Sequence, residues 1–489
     1  MSKKLVQVKP NQLPKEHIDW VVQPVTRFVK IESAAGIFLL ILALTAMLLA
    51  NSPLSEAFEL FWQTPLGINI GDFNFERSLH AWINDAAMTL FFFLIALELK
   101  RELVLGELRN PRQAMLSIIA AVGGMVVPAV IYLSLLLGED GQHGWGTVMA
   151  TDTAFVLGCL ALLGRGIPKS LRIFMLSLAV VDDVGAIIVV AVGYSNGINW
   201  AMIALALVGF IVVKMMGFLG IRSVTLFFIT GGLIWLAIDA SGIHPTVTGV
   251  ILGLMTPTQK WVDDHRLHAI MNIVVAYPPE KKISGNTIDI QALKTAEAAA
   301  REALSPVERL EMLLHPWVGF IVMPLFAFAN AGISVSWETL VPSLSIAVFL
   351  GFVLGKPIGI FAFSWIAVKM RVAERPIDLH WGMLFGGSML AGIGFTMALF
   401  IANLAYSPEQ IDSAKLGIFC ASITCALLGI IIIRHFVSST NNSDSEPYHP
   451  NGPKPLNLSV TVFSKLDELN SNGRKGLVGV LFDNRKCMP

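Results

Sequence analysis

The chain has 489 residues, of which 54% are hydrophobic and 14% charged, about half the charged share of an ordinary soluble domain. With a mean hydropathy of +0.67 the composition excludes a soluble enzyme and places the chain in a membrane. Thirty-five Lys and Arg balance 35 Asp and Glu, so no basic excess argues for a nucleic-acid partner.

The first 31 residues are polar, carry Lys3, Lys4, Lys9, Lys15, Arg27 and Lys30, and read as a cytoplasmic N-terminal segment. The apolar stretch Ala34 to Ala50 follows, without a small-residue cleavage site, and is expected to stay as a first span. Further stretches near bilayer-spanning length lie at 82–99, 114–137, 144–164, 171–194, 200–219, 223–238, 244–256, 316–333, 340–368, 381–405 and 411–433. The expectation is an all-α polytopic membrane protein with twelve transmembrane helices.

The distribution of Lys and Arg tests that count, because cytoplasmic connections are enriched in them. Alternate connections hold Lys100, Arg101, Arg109 and Arg112; Arg165, Lys169 and Arg172; Lys214 and Arg222; the loop 257–315; and Lys369, Arg371 and Arg375. Of the intervening connections, 138–143, 195–199, 239–243 and 332–339 hold none, with Arg77 in the first outside connection and Lys415 at the edge of the last. Both termini are therefore expected in the cytoplasm.

Three pieces fall outside the spans of the membrane domain 32–437. The outside stretch Gly67 to Glu76 alternates as a short hairpin, which is marginal alone and needs a partner strand or a membrane surface. The inside loop 257–315 carries an Ala/Glu-rich helical run from Ile290 to Leu304, then Ser305-Pro306 and a second short helix ending at His315 and Pro316. The tail 438–489 begins with an Asn, Ser and Pro-rich stretch and reads as largely disordered. Cys159, Cys420, Cys425 and Cys487 are too scattered for a disulfide framework and are assigned no function.

A charge at the bilayer centre costs about 2.5 to 3.5 kcal/mol on insertion scales, so each one demands an account. Thr151 and Asp152, Asp182 and Asp183, Lys356, and Gly392-Ile393-Gly394 all fall near the centres of their spans. Adjacent acids point about 100° apart on a helix, so one can face a cavity while the other faces a partner. Their hard oxygens suit a small cation, and burial without compensation favours the protonated form. Protons and a cation then compete for the same oxygens, and that competition is an exchange mechanism.

Small and β-branched polar residues around Asp152 and Gly392-Ile393-Gly394 fit two broken helices crossing at mid-membrane. Such a crossing brings positive helix ends together in one place and negative ends in another, with Asp152 compensating the first and Lys356 the second. For Gly392-Ile393-Gly394, close helix packing is the open alternative. Glu98 beside Lys100, Arg101 and Glu102 reads as a solvated helix terminus, and His244 before Pro245 as a satisfied turn histidine.

These residues belong to longer motifs. They include Trp82-Ile83-Asn84-Asp85, Leu97 to Leu103, Ala150 to Phe155, Asp182-Asp183-Val184-Gly185-Ala186, Ser241-Gly242-Ile243-His244, Leu314-His315-Pro316-Trp317, Pro324 to Gly332, Gly355-Lys356-Pro357 and Gly392 to Thr396. Set in this order over about residues 30 to 435, they resemble the NhaA family of bacterial sodium/proton antiporters.

The resemblance implies a twelve-helix fold with inverted-topology repeats that exchanges Na+ or Li+ for H+ across the cell inner membrane, electrogenically and under pH control. It implies that Asp183 is the principal cation ligand, Asp182 its neighbour paired with Lys356 in one protonation state, and Thr151 and Asp152 site-completing residues. Glu98, Arg101, Glu102, Glu311 and His315 match positions for pH sensing at the cytoplasmic funnel, and the hairpin matches a homodimerisation element. No cofactor and no catalytic residue is expected. Glu308 and Met312 depart from the family pattern, as do the long inside loop and the tail.

The rival readings are a passive cation channel, a sodium-coupled carrier of an organic substrate, and an intramembrane aspartyl protease. The last needs an Asp after a Gly-x-Gly, whereas Phe395 follows Gly392-Ile393-Gly394.

Overall fold

In a computed structural model, residues 32–70, 73–106, 111–194, 197–221, 223–275, 287–333 and 342–443 are described. The N-terminal segment 1–31, the hairpin tip 71–72, part of the inside loop (276–286) and the tail beyond 443 lie outside them. Residues 1–438 form one compact unit, and only 439–443 of the second are described.

The chain begins with α1 (Glu32–Ala50), which turns by 115° into α2 (Ser55–Gln63). Strands β1 (Pro65–Ile70) and β2 (Phe73–Ser78) form an antiparallel hairpin with Gly67 opposite Glu76. α3 (Leu79–Val104) and α4 (Pro111–Leu135) follow, then a 3-10 segment (Gln142–Met149) leading to α5 (Thr153–Leu163). Next come α6 (Lys169–Gly193), α7 (Trp200–Phe218), α8 (Val224–Ala240) and α9 (Thr246–Met255). α10 (Asp264–Val275) and α11 (Thr287–Arg301) precede α12 (Pro306–Asn330) and α13 (Ser343–Lys369). α14 (Trp381–Leu390) bends by 46° into α15 (Phe395–Ala405), and α16 (Ile411–Ser443) closes the described chain.

Among the described residues, eight helices are long and apolar enough to cross a membrane, or ten if each bent pair is one span. The chain is therefore a polytopic all-α membrane protein. α8 and α9 are apolar but shorter, and the expected count of twelve includes both.

Several elements differ from expectation. The amphipathic α2 lies within what read as an outside connection. The short helix expected to end at His315 and Pro316 is instead the first half of α12. Ser305 caps its start, accepting from Glu308 N at 3.3 Å while Glu308 Oε2 accepts from Ser305 N at 2.9 Å, with Pro306 in the first turn. The helix runs on through Pro316 and then passes into a π turn at Val318–Val322. α16 likewise continues past the Val437 boundary.

π turns occupy Ile83–Ala87 in α3, Val318–Val322 in α12 and Gly351–Gly355 in α13. The second and third end in the same way: Met323 N donates to Val318 O and Lys356 N to Gly351 O, and Pro324 or Pro357 follows at once. Proline lacks an N–H and clashes with the carbonyl four residues before it, and widening the preceding turn relieves that crowding.

α4 and α13 cross where Gly123 meets Gly359. A Cβ on Gly359 would stand 2.1 Å from Gly123 O, and one on Gly355 2.5 Å from Pro128 Cα. Such close approach is how apolar helices gain dispersion and packing in lipid. Gly359→Val is expected to lower stability by about 1–3 kcal/mol through overpacking. Gly158→Ala on α5, where a Cβ meets open space, serves as the neutral control. Fluorescence-detected melts in detergent compare the two, and equal melting temperatures would refute the crossing argument.

Candidate functional site

Two interrupted helices meet at the centre of the site. Ala150, Thr151 and Asp152 are extended between the 3-10 segment and α5, and Ala391 to Gly394 separate α14 from α15. The breaks are joined by a hydrogen bond from Asp152 N to Ile393 O, 2.7 Å. Asp152 Oδ1 accepts from Phe155 N at 3.2 Å, capping α5. Its Oδ2 accepts from Thr396 N at 3.0 Å and from Thr396 Oγ1 at 2.5 Å, at the start of α15. One buried carboxylate thus faces two positive helix ends, which satisfies orphan N–H groups and opposes both dipoles.

The glycine motif serves both readings left open for it. Gly392 and Gly394 flank the break, and a Cβ on Gly394 would stand 2.4 Å from the Phe352 ring, while one on Gly392 would stand 2.5 Å from Cys425 Sγ. Interruption and close packing coincide.

Lys356 is fully buried at 0% exposure, with Asp182 and Asp183 at 1% each. Lys356 Nζ lies 2.5 Å from Asp182 Oδ2 and also donates to Thr151 Oγ1. The Thr151 hydroxyl donates to Asp182 Oδ2 and lies 3.0 Å from Ala391 O. Lys356 therefore neutralises a carboxylate; the contacts described for it do not include the carbonyl end of a broken helix. The π turn before Lys356 and the α4–α13 crossing fix where its side chain leaves α13.

Asp183 has a weaker setting. Its Oδ2 accepts from Thr153 Oγ1 at 3.3 Å, and its Oδ1 is buried with no hydrogen-bond partner among the described residues. Asp182 Oδ1 is in the same condition. With all three groups ionised, the Lys356–Asp182 pair cancels and Asp183 leaves one uncompensated negative charge. A buried charge without a partner is costly, so one proton or one small cation completes the set.

The residues expected at the cytoplasmic funnel divide. Arg101 donates to Glu311 and, at 3.0 Å, to Glu102, tying α3 to α12. Glu98 is half-buried on the same helix. His315 is exposed on α12 and is not among the partners of Arg101.

Two polar groupings escaped the sequence reading. Arg77 at the end of β2 bridges Asp85 at 2.5 Å and Asp239 at the end of α8. His244 completes that group with Nε2 3.6 Å from Asp85 and Nδ1 2.8 Å from Thr246 Oγ1, so it is a satisfied histidine as expected. Asn330 joins three helices, bonding Asn84 at 2.8 Å, Asn403 at 2.8 Å and His80 at 2.9 Å. Asn330 and Asn403 are single polar residues in apolar runs, which was an available signal, whereas Arg77 lies between Glu76 and Ser78 and gave none.

The family described as Na+/H+ antiporter 1 matches residues 26–433. This chain belongs to that family. A Vibrio vulnificus relative, Na(+)/H(+) antiporter NhaA 2, is 64% identical over 436 residues, covering 89% of this chain and 98% of the relative. Na(+)/H(+) antiporter NhaA 1 of Acidiphilium cryptum is 54% identical over 440 residues, covering 90% and 98%. Na(+)/H(+) antiporter NhaA of Rhizobium meliloti is 54% identical over 423 residues, covering 86% and 97%. The family match spans every element that builds the carboxylate site.

Proposed function

We propose that this chain is a Na+/H+ antiporter in which Asp183 is the principal ligand for Na+ or Li+ and Asp182 the companion carboxylate. The observation that carries this reading is the pair of buried, unpartnered oxygens, Asp182 Oδ1 and Asp183 Oδ1, beside a lysine that already neutralises one of the acids. Thr151 holds Asp182 and Lys356 in register, and Asp152 steadies the two helix ends.

Exchange follows from the charge count. The empty, fully ionised site carries an excess negative charge that opposes movement through the membrane. Protons or a cation offset it, and only the loaded carrier changes the side to which it opens. If two protons enter for each Na+ that leaves, the sodium-loaded site is neutral and the doubly protonated site keeps the Lys356 charge, so one net charge crosses per cycle, worth about 2.3 kcal/mol per 100 mV. The membrane potential then drives sodium out.

On this reading the chain sits in the bacterial inner membrane with both termini in the cytoplasm. Twelve spans, including the short α8 and α9, form inverted repeats whose broken members are the 3-10/α5 pair and α14/α15. The Arg101–Glu102–Glu311 group, with Glu98 and His315, regulates the response to cytoplasmic pH. The hairpin of β1 and β2 pairs with that of a second copy to make a homodimer.

Reconstitution into proteoliposomes tests the proposal. Adding Na+ is expected to move protons and to shift a potential-sensitive dye in the direction of the larger proton charge. Proton movement with no potential change would overturn the electrogenic cycle, and sodium flux without proton movement would overturn exchange itself.

A further inference from the structure

A cavity of about 290 Å³ opens between α4, α6 and the connection after α13, at the N-terminal end of the helix that carries Asp182 and Asp183. Its exposed rim carries Lys169, Glu374 and Asp378, and its floor carries Ser117 and Ser177, each 4% exposed. Ser170, also lining it, has a buried Oγ with no partner.

Two buried helix serines elsewhere in this protein return their hydroxyl to the preceding turn, Ser364 to Ile360 O and Ser388 to Leu384 O, at 2.7 and 2.8 Å. Among the described residues Ser117 and Ser177 show no such return bond, and the Ser170 Oγ is buried with no partner, which is costly unless something polar meets it. The unpartnered Ser170 hydroxyl and the two floor serines leave hydrogen-bonding capacity for a polar occupant.

The charges define that occupant. Lys169 opens α6, whose first turn has no side-chain cap, so its N–H groups and the ammonium together favour an anion. Glu374 is bridged to Arg112 at 2.9 Å, which leaves Lys169 and Asp378 as the opposed charges of the rim. One cation at a helix N-terminus and one free acid match a zwitterion with phosphate and ammonium ends. Phe174 and the half-exposed Ile173 add an apolar wall at the end of a membrane helix, where an acyl chain continues from a headgroup.

We propose that this cavity binds the headgroup of a zwitterionic phospholipid with a primary ammonium, of the phosphatidylethanolamine class. The phosphate sits between Lys169, the Ser170 hydroxyl and the start of α6. The ammonium donates to Asp378 and to the serine floor, which a quaternary choline cannot do. Bound lipid ties the α4–α6 pair to the connection leading into α14, and thus to one of the two broken helices.

Native mass spectrometry of the full chain in detergent, titrated with phosphatidylethanolamine, phosphatidylcholine, phosphatidylglycerol or free phosphoethanolamine, tests the assignment. One tightly retained phosphatidylethanolamine is expected, held at least tenfold more tightly than the other three. Ser177→Leu, which fills the floor, and Lys169→Glu, on the exposed rim, are each expected to reduce that retention at least tenfold while the lipid-free melt stays unchanged. Equal retention of phosphatidylcholine, equal binding of free phosphoethanolamine, or retention unaltered in Lys169→Glu would overturn it.

Discussion

Lys356→Ala is expected to lower the stability of the folded protein by about 3–5 kcal/mol, the cost of removing one partner from a buried ion pair. In the variant, Asp182 keeps only the Thr151 hydroxyl while remaining 1% exposed, and Asp183 beside it is also uncompensated. Two neighbouring buried acids then face each other without a cation. Protonation relieves that state, so the deficit is expected to shrink as pH falls. High Na+ is expected to narrow it as well, since a bound cation substitutes for the ammonium's charge. Melts in detergent at several pH values and Na+ concentrations measure this. A Lys356→Met, Asp182→Asn double variant supplies the cycle: if the pair is the cause, the double variant recovers most of the loss, whereas additive losses place it elsewhere.

The depth of Thr151, Asp152, Asp182, Asp183 and Lys356 was legible because a charge in an apolar run is conspicuous and the run itself supplies the ruler. The interruptions at Ala150 to Asp152 and Ala391 to Gly394 were legible from small and β-branched residues where a lipid-facing helix has no use for them. What could not be read was the alignment of distant segments away from that mid-membrane set. The Arg77–Asp85–Asp239 bridge joins a strand to two helices, and no local pattern announces that Asp239 is the second acid. The π turn before Lys356 has no composition of its own, and its trace in the sequence is the proline that follows. Pro316 misled because a proline inside a membrane helix does not have to end it, and α12 runs straight through this one. α2 was missed because its nine residues are amphipathic and too short to resemble a span.

Asp183→Asn is expected to abolish exchange, with a loss of a hundredfold or more, about 2.7 kcal/mol of lost stabilisation along the transport cycle. The fold is expected to survive, because asparagine keeps the shape and the side chain it replaces has few bonds to lose. Thr153 Oγ1 stands 3.3 Å from one oxygen, and the other has no partner. The substitution removes the unbalanced negative charge, so the site is neutral when empty and has no electrostatic demand for either proton or cation. Asp182→Asn makes the informative contrast. It strands the Lys356 ammonium at 0% exposure, and is therefore expected to reduce stability as well as transport. Sodium-dependent dequenching in everted vesicles reads transport, calorimetric titration reads sodium binding, and melts read the fold. Asp183→Asn with wild-type sodium affinity would remove Asp183 from the ligand role, and a collapsed melt would make it a structural residue. Lost binding with an intact melt, opposite a destabilised Asp182→Asn, assigns the cation to Asp183 and the lysine to Asp182.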